Sequence, residues 1–274
     1  MRKYLGLFLA FAVMVVLAAC GGNNDNAGNS NKAAGNNNNN NGDSDKETLI
    51  IGVDDKFAPM GFRDEDNELT GFDIDYARAV AEEMGVEVEF QPIDWKTKET
   101  ELSSDRIDLI WNGYTITPER EEKVAFTAPY LENAQVVTVL EDSDIDNLAD
   151  LADTEVGLQA LSSAADALEA NEIHDEIKNI TEFADNVLAL SDLKAGRVDA
   201  VVIDEVVIDY YMAQEEGVFK VLDESLAPEQ YGVGVKKENE ELLTKLQEAL
   251  NALNENGKAG EISTEWFGED KVLK

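Results

Sequence analysis

One stretch, Arg106 to Tyr130 (RIDLIWNGYTITPEREEKVAFTAPY), limits the fold more than any other. Arg106 to Trp111 reads as a short buried strand, mostly apolar and β-prone. Thr117-Pro118-Glu119 reads as a helix start, with Thr117 as N-cap, Pro118 at the first helical position and Glu119, Glu121 and Glu122 crowding the first turn. The loop between them, Asn112 to Thr115, then leaves the carboxyl end of a strand, the edge at which open α/β sheets bind ligands. Arg120 is the odd residue, because a cation in a first turn opposes the helix macrodipole. Its guanidinium either pairs with the neighbouring glutamates or joins the Thr115 hydroxyl and backbone N–H groups in clamping one carboxylate.

The rest of the chain alternates in the same manner. Leu49–Val53 is a buried-strand run, Ile74, Ala77, Ala81 and Met84 form a helical stripe stopped by Gly85, and Val86–Phe90 alternates like a half-exposed strand. A short helical piece, Lys98–Leu102, precedes the opening stretch. A second series runs from a strand at Thr154–Leu158 through a helix at Ser163–Asn171 to a strand at Arg197–Ile203. Strands alternating with helices argue for mainly parallel sheets. Leu102–Ile110 lines up with Leu193–Val201, 91 residues on, which sets Asp204 opposite Gly113. The echo fits two lobes built alike, and it also fits two generic helix-to-strand joints. A final helix with Leu243, Leu246, Leu250 and Leu253 on one face and Gly257 as its stop reads as core packing.

Charge removes several function classes. With 58 acidic and 22 basic residues the chain carries a formal charge of −36, which repels nucleic acid and anionic membrane surfaces. One Cys and one His exclude a disulfide framework and leave no Cys/His metal site, and no EF-hand spacing of oxygen ligands is present. The acid excess therefore reads as a solvated surface, with no cofactor, no metal and no nucleic-acid partner expected.

The N-terminal segment reads differently from the rest. Arg2 and Lys3 followed by apolar Tyr4–Ala19 have the form of a secretory signal, too short to favour a spanning helix. Leu17-Ala18-Ala19-Cys20-Gly21 resembles the bacterial lipoprotein box, which implies cleavage before Cys20 and lipid on its thiol. Residues 21–45 hold eleven Asn and no apolar periodicity, so residues 20–45 are expected to be a flexible tether. Its mean reach is about 25–30 Å.

Five segments in order, LIIGVDDKFAPMGF, LTGFDIDYARAVAEEMGVEVEF, PIDW, the Trp111–Tyr130 stretch and GRVDAVVIDE, resemble the polar amino-acid-binding proteins of ABC importers, solute-binding family 3. The resemblance runs from about residue 47 to the C-terminus. It implies a periplasmic-binding-protein-like type II α/β fold, two lobes joined by two hinge crossings with a ligand cleft between them. Lobe 1 is expected at 46–130 plus 232–274, lobe 2 at 136–226, and the hinge at 131–135 and 227–231. A free amino acid presents a carboxylate and an ammonium on one carbon, and a buried site has to pair both.

By resemblance Arg120 takes the carboxylate with Thr115 and the backbone of Gly113. Ser162 and Ser163 add donors from a helix start in the second lobe. Asp204 takes the ammonium, shared with a carbonyl at Asn112 or Gly113. Phe57 and Trp95 match the family's aromatic walls, while Asp54 and Gln159 match positions that reach toward the ligand side chain. Relatives commonly carry Gly-Thr or Gly-Ser where this chain has Leu161-Ser162, so Gly-only backbone angles are not expected at 161. The function implied is capture of a free polar or basic L-amino acid by an extracytoplasmic, lipid-anchored monomer that passes it to a membrane permease. The competing readings are a dehydratase- or lyase-type enzyme on the same fold and a ligand-sensing lipoprotein. The lone His174, in the polar run NEIHDE, offers no catalytic acid or base near the motif residues.

Overall fold

The computed structural model describes residues 47–274. The secretory signal, Cys20 and the tether lie outside the described residues. The chain runs from β1 (Thr48–Val53) through a small meander of β2 (Lys56–Phe57), β3 (Gly61–Arg63) and β4 (Leu69–Thr70) to α1 (Phe72–Met84) and β5 (Glu87–Pro92). It continues with α2 (Lys98–Ser103), β6 (Leu109–Ile110), α3 (Pro118–Lys123), β7 (Val124–Phe126) and β8 (Leu131–Leu140). Next come β9 (Glu155–Gln159), α4 (Ser163–Glu169), β10 (Asn179–Phe183), α5 (Asn186–Lys194), β11 (Ala200–Asp204) and α6 (Glu205–Gln214). The last elements are β12 (Phe219–Val221), β13 (Ala227–Tyr231), β14 (Gly234–Lys236), α7 (Glu240–Glu255) and α8 (Lys258–Phe267).

Two α/β sheets result. One has the order β5-β1-β6-β14-β7, the other β10-β9-β11-β8-β12 with β13 paired to β8. The pairs β1–β5, β1–β6, β9–β10 and β9–β11 are parallel, as the alternation of strands and helices requires. β11 is buried throughout, and its residues alternate between two cores. Val201 and Ile203 pack into one, Ala200 and Val202 into the other, which explains its uninterrupted apolar sequence. On one side of β8, Leu131–Gln135 pairs antiparallel with Ala227–Tyr231.

Local sequence accounts for most helix ends. Thr117 caps α3 by accepting the Arg120 N–H at 3.2 Å, and Pro118 occupies the first turn. Gly85 ends α1 with a left-handed φ of 72°. In α7 the buried face is Leu242, Leu246, Ala249, Leu250 and Leu253, with Leu243 half-buried beside it. α7 stops near Gly257 as expected, but the chain turns there into α8, whose amphipathic face adds Ala259 and Ile262 to the core.

The echo at 91 residues is structural. Asp105 and Gly196 share a left-handed φ, 57° and 66°. Arg106 bonds Glu101, as Arg197 bonds Asp192. The carboxylates of Asp108 and Asp199 each accept a backbone N–H from the neighbouring strand, Ile50 of β1 and Glu155 of β9, both at 2.8 Å. The same joint therefore aims β6 in one half and β11 in the other.

Gly71 precedes α1 at φ 137°, ψ 166°, a region open only to glycine, and a Cβ there would lie 2.3 Å from the Met60 carbonyl oxygen. Gly71→Ala is expected to cost at least about 2 kcal/mol through strain and overpacking. The check is a lowered urea midpoint at unchanged m-value; a midpoint equal to the parent's contradicts it.

Candidate functional site

The carboxyl ends of the central parallel strands meet between the sheets. Asp54 follows β1, Asn112 and Gly113 follow β6, Gln159 ends β9 and Asp204 ends β11. All eleven residues implied by the resemblance, from Asp54 to Asp204, are buried. The polar ones include Arg120 at 5%, Asp204 at 4% and Gln159 at 1% exposure. Eight buried polar side chains in one place mark a built site, since a core without function has no reason to carry that desolvation.

Hydrogen bonds tie the residues of the two sheets directly. Gln159 Nε2 donates to Asp54 Oδ2 at 2.7 Å, and the hydroxyls of Thr115 and Ser163 lie 3.1 Å apart. Lys56 Nζ, just after β1, pairs at 2.8 Å with Asp185, the N-cap of α5. Lys98 Nζ donates to the Leu161 carbonyl at 3.0 Å.

Arg120 does not pair with the neighbouring glutamates. Among the described residues no carboxylate lies within ion-pair distance of it, and Glu119 pairs instead with Lys123. Its guanidinium donates to the Thr115 carbonyl at 2.9 Å and rests 4.8 Å from the centre of the Tyr114 ring. Gly113 is left-handed at φ 55°, and a Cβ there would meet Phe57 at 2.8 Å, so ring and backbone are in close contact. The Gly113 N–H already has an acceptor within the protein. It donates to Asp73 Oδ2 at 2.7 Å, which also accepts the Tyr130 hydroxyl. Trp95 stands edge-on to Tyr114, the ring against which Arg120 rests.

Position 161 departs from expectation. Leu161 itself adopts φ 54°, in the left-handed region, with its side chain 58% exposed. Exposure frees the side chain from crowding, and the residual strain is about 1–2 kcal/mol. The turn is thus made without glycine. Ser162 donates its hydroxyl to the Gln159 carbonyl at 2.7 Å and so closes the turn, while Ser163, the first residue of α4, is the serine that faces Thr115.

Four further residues belong to this constellation and were not legible as such. Glu229 of β13 accepts from Thr115, Gln135, Asn133 and Ser163 through one oxygen, at 3.0 to 3.3 Å. Lys98 is 2% exposed; burial, then the charge of Arg120, lower its pKa to about 8. Asp73 holds the Gly113 loop from beneath, and burial raises it to about 7. Tyr114 provides the ring under Arg120.

A cavity of about 210 Å³ lies beside the cleft, lined by Asp54, Asp55, Lys56, Asp94, Trp95 and Asp185. A larger one of about 590 Å³ lies elsewhere, between the start of β1 and α7, and shares none of the eleven residues. The smaller is the relevant one because buried polar groups converge on it.

Burial raises Asp54 to about 6, and burial followed by the charge of Glu229 raises Asp204 to about 7. Both values lie above the unfolded carboxylate range, so the folded state favours the protonated acids. Each group therefore removes stability as pH rises from about 4 to its folded value. Asp204→Asn, which imitates the protonated acid, is expected to raise the melting temperature of the ligand-free protein by a few degrees at pH 7.5, at about 2–4 °C per kcal/mol. The gap should narrow as pH falls toward 4. Melts across pH for both proteins test this, and a variant melting below the parent at pH 7.5 contradicts it.

The chain is 28% identical over 228 residues to the L-cystine-binding protein TcyJ of Escherichia coli, covering 82% of this chain and 85% of that one. It is 29% identical over 231 residues to the arginine-binding extracellular protein ArtP of Bacillus subtilis, covering 84% and 89%. A substrate-binding protein of an ABC uptake transporter from Streptococcus pneumoniae, solved with bound histidine, superposes with a TM-score of 0.80 at 42% identity, over 83% of this chain and 95% of that one. A family model matches residues 49–269, most of the sequence, and the chain belongs to the bacterial extracellular solute-binding proteins, family 3.

Proposed function

We propose that the protein captures a free polar or basic L-amino acid in the cleft and delivers it to the membrane permease of an ABC importer. The observation that carries this reading is the buried Arg120. Among the described residues it meets no carboxylate, yet it lies near enough to buried Asp204 to lower that acid's pKa. One cation with no carboxylate partner among the described residues and one buried acid suit a zwitterion carrying both complementary charges on one carbon.

In this reading Arg120, Thr115 and Ser163 receive the carboxylate. Asp204, with a carbonyl at Asn112 or Gly113, receives the ammonium. Phe57 and Trp95 wall the side chain, with Asp54 and Gln159 beyond them, while Ser162 shapes the turn. Four acids and one lysine around the outer cavity favour a neutral polar or cationic side chain over glutamate or aspartate. The cystine, arginine and histidine named for the relatives above fall in that class, whereas the glutamate named for the GluB proteins, 29–31% identical to this chain, does not. These relatives are binding proteins, and the chain is a binding protein and not an enzyme.

The lobes are 46–130 plus 232–274 and 136–226, and segments 131–135 and 227–231 are the hinge. Two paired strands crossing together can bend as one ribbon, and a ligand touching both lobes favours the closed form. The family is extracellular, and lipid on Cys20 would hold a monomer of this protein at the outer membrane face beside its permease.

A panel of free L-amino acids tested by thermal shift is expected to give binders among arginine, lysine, histidine, glutamine and cystine. Ligand at about 100 times Kd adds about 2.7 kcal/mol. Arg120→Ala should keep the native circular dichroism and lose about 30- to 5,000-fold in Kd. A panel with no binder ends the transport reading, and Arg120→Ala binding within about threefold of the parent removes the clamp.

A further inference from the structure

Strand register brings two carboxylates together at the base of the cleft. Gln135 of β8 lies opposite Asp204 of β11 on one side and Ala227 of β13 on the other, while Asn133 lies opposite Glu229. Residues two apart share a face, so Asn133, Gln135, Asp204, Glu229 and Tyr231 all project from the same side of this sheet. The hydrogen bonds agree. Asn133 Nδ2 donates both to Asp204 Oδ2 at 2.8 Å and to Glu229 Oε2 at 3.2 Å, and Tyr231 gives its hydroxyl to the same Asp204 oxygen.

A count of donors gives this pair a task. Thr115 and Ser163 own one hydroxyl proton each, and Glu229 Oε2 lies within hydrogen-bond distance of both. A ligand carboxylate held by Arg120 needs those same protons. When the hydroxyls turn to it, Glu229 keeps the amide donors of Asn133 and Gln135 but loses two partners. A ligand ammonium brings three donors. Asp204 takes one and a carbonyl at Asn112 or Gly113 a second, so the third is free for the oxygen that the hydroxyls have left. Gln135 Oε1, fully buried beside Glu229, also has no hydrogen-bond partner among the described residues and adds an acceptor on the same spot.

We propose that Glu229 is the second carboxylate of the ammonium site, so that Asp204 and Glu229 share the ligand's ammonium and release a proton as it enters. The proposal rests on the amino-acid reading given above and names a residue which that reading does not use. The groups facing Asp204 are Glu229 and Tyr231 from β13, Asn133 and Gln135 from β8, and Arg120 at longer range from α3. Arg120 is therefore the cation facing the pair, and its charge is committed to the ligand carboxylate. With no cation beside it among the described residues, the buried Asp204 next to the Glu229 carboxylate favours holding a proton. Burial and Glu229 together raise Asp204 to about 7, in keeping with that. An arriving ammonium stabilises both ionised forms, and the proton departs to solvent.

Titration calorimetry of the full chain with each amino acid that shifts its melt tests the proposal, run at pH 6.8 in phosphate and in Tris. The buffers differ in ionisation enthalpy, so the difference in heat counts protons; a release of about half to one proton per ligand is expected. Kd should weaken about tenfold or more from pH 7.5 to 5.5. Glu229→Gln, which keeps the shape, should bind about tenfold to a hundredfold more weakly and release fewer protons. Equal heats in the two buffers for the parent protein, a measurement that needs no variant, overturn the proposal while leaving the amino-acid reading intact. Glu229→Gln binding as tightly as the parent overturns it as well. A panel in which no amino acid binds overturns both.

Discussion

A guanidinium with no carboxylate partner among the described residues, buried at Arg120, is the constraint around which this cleft is built. Removing such a charge from water costs several kcal/mol unless dipoles or an opposite charge replace the solvent. The chain supplies the dipoles alone, through the Thr115 carbonyl and the face of Tyr114. It does so on a scaffold that leaves Arg120 little freedom. Thr117 fixes the first turn of α3, and Asp73 ties down the Gly113 backbone. Position is thus set by local capping and by one buried acid. The neutralising charge is left to whatever enters.

The second half of the chain meets the first with the same joint in a different role. Arg106–Glu101 with Asp108, and Arg197–Asp192 with Asp199, clip a helix end to a strand start in the same geometry. These contacts are largely exposed, so each ion pair contributes little to stability. Their effect is directional. They aim β6 and β11 so that Gly113 and Asp204 emerge at equivalent strand ends, one feeding the loop before Arg120 and the other a carboxylate. Two copies of one joint thus deliver opposite charges to one cleft.

How much of this could be read beforehand follows from the range of each interaction. Signals carried within a few residues were legible: the Thr117-Pro118 helix start, the Gly85 stop, the α7 stripe, the buried run of β1 and the alternation of β5. Leu161 misled because left-handed backbone is disfavoured for a side chain, and the sequence does not disclose that the side chain would stand in solvent, where crowding is least. Lys98 was legible only as the start of a short helix; its ammonium is placed by the face of Trp95 and by a carbonyl 63 residues away. Glu229 becomes meaningful only through the β8–β13 register, set by hydrogen bonds between segments about 95 residues apart. α8 was missed because Gly257 looked like an end, and a left-handed glycine serves equally to stop one helix and start the next.

The acid that makes the site specific also makes the ligand-free fold less stable. Asp54, Asp73 and Asp204 all sit where burial favours their protonated forms, so near neutral pH each opposes folding. Most of the chain's negative charge is solvated and screened by salt, but these three lie within low-dielectric surroundings where screening is weak. Asp73 returns something to the fold by holding Gly113 and Tyr130 in place. Asp54 does so by meeting Gln159 across the cleft. Asp204 is different: its partners are the neutral Asn133 and Tyr231, and its closest charged neighbour is Glu229. A site arranged this way gains most when a cation arrives beside Asp204 and an anion beside Arg120 together. A zwitterion provides both from adjacent atoms, whereas a lone cation or anion leaves one buried charge as exposed to cost as before.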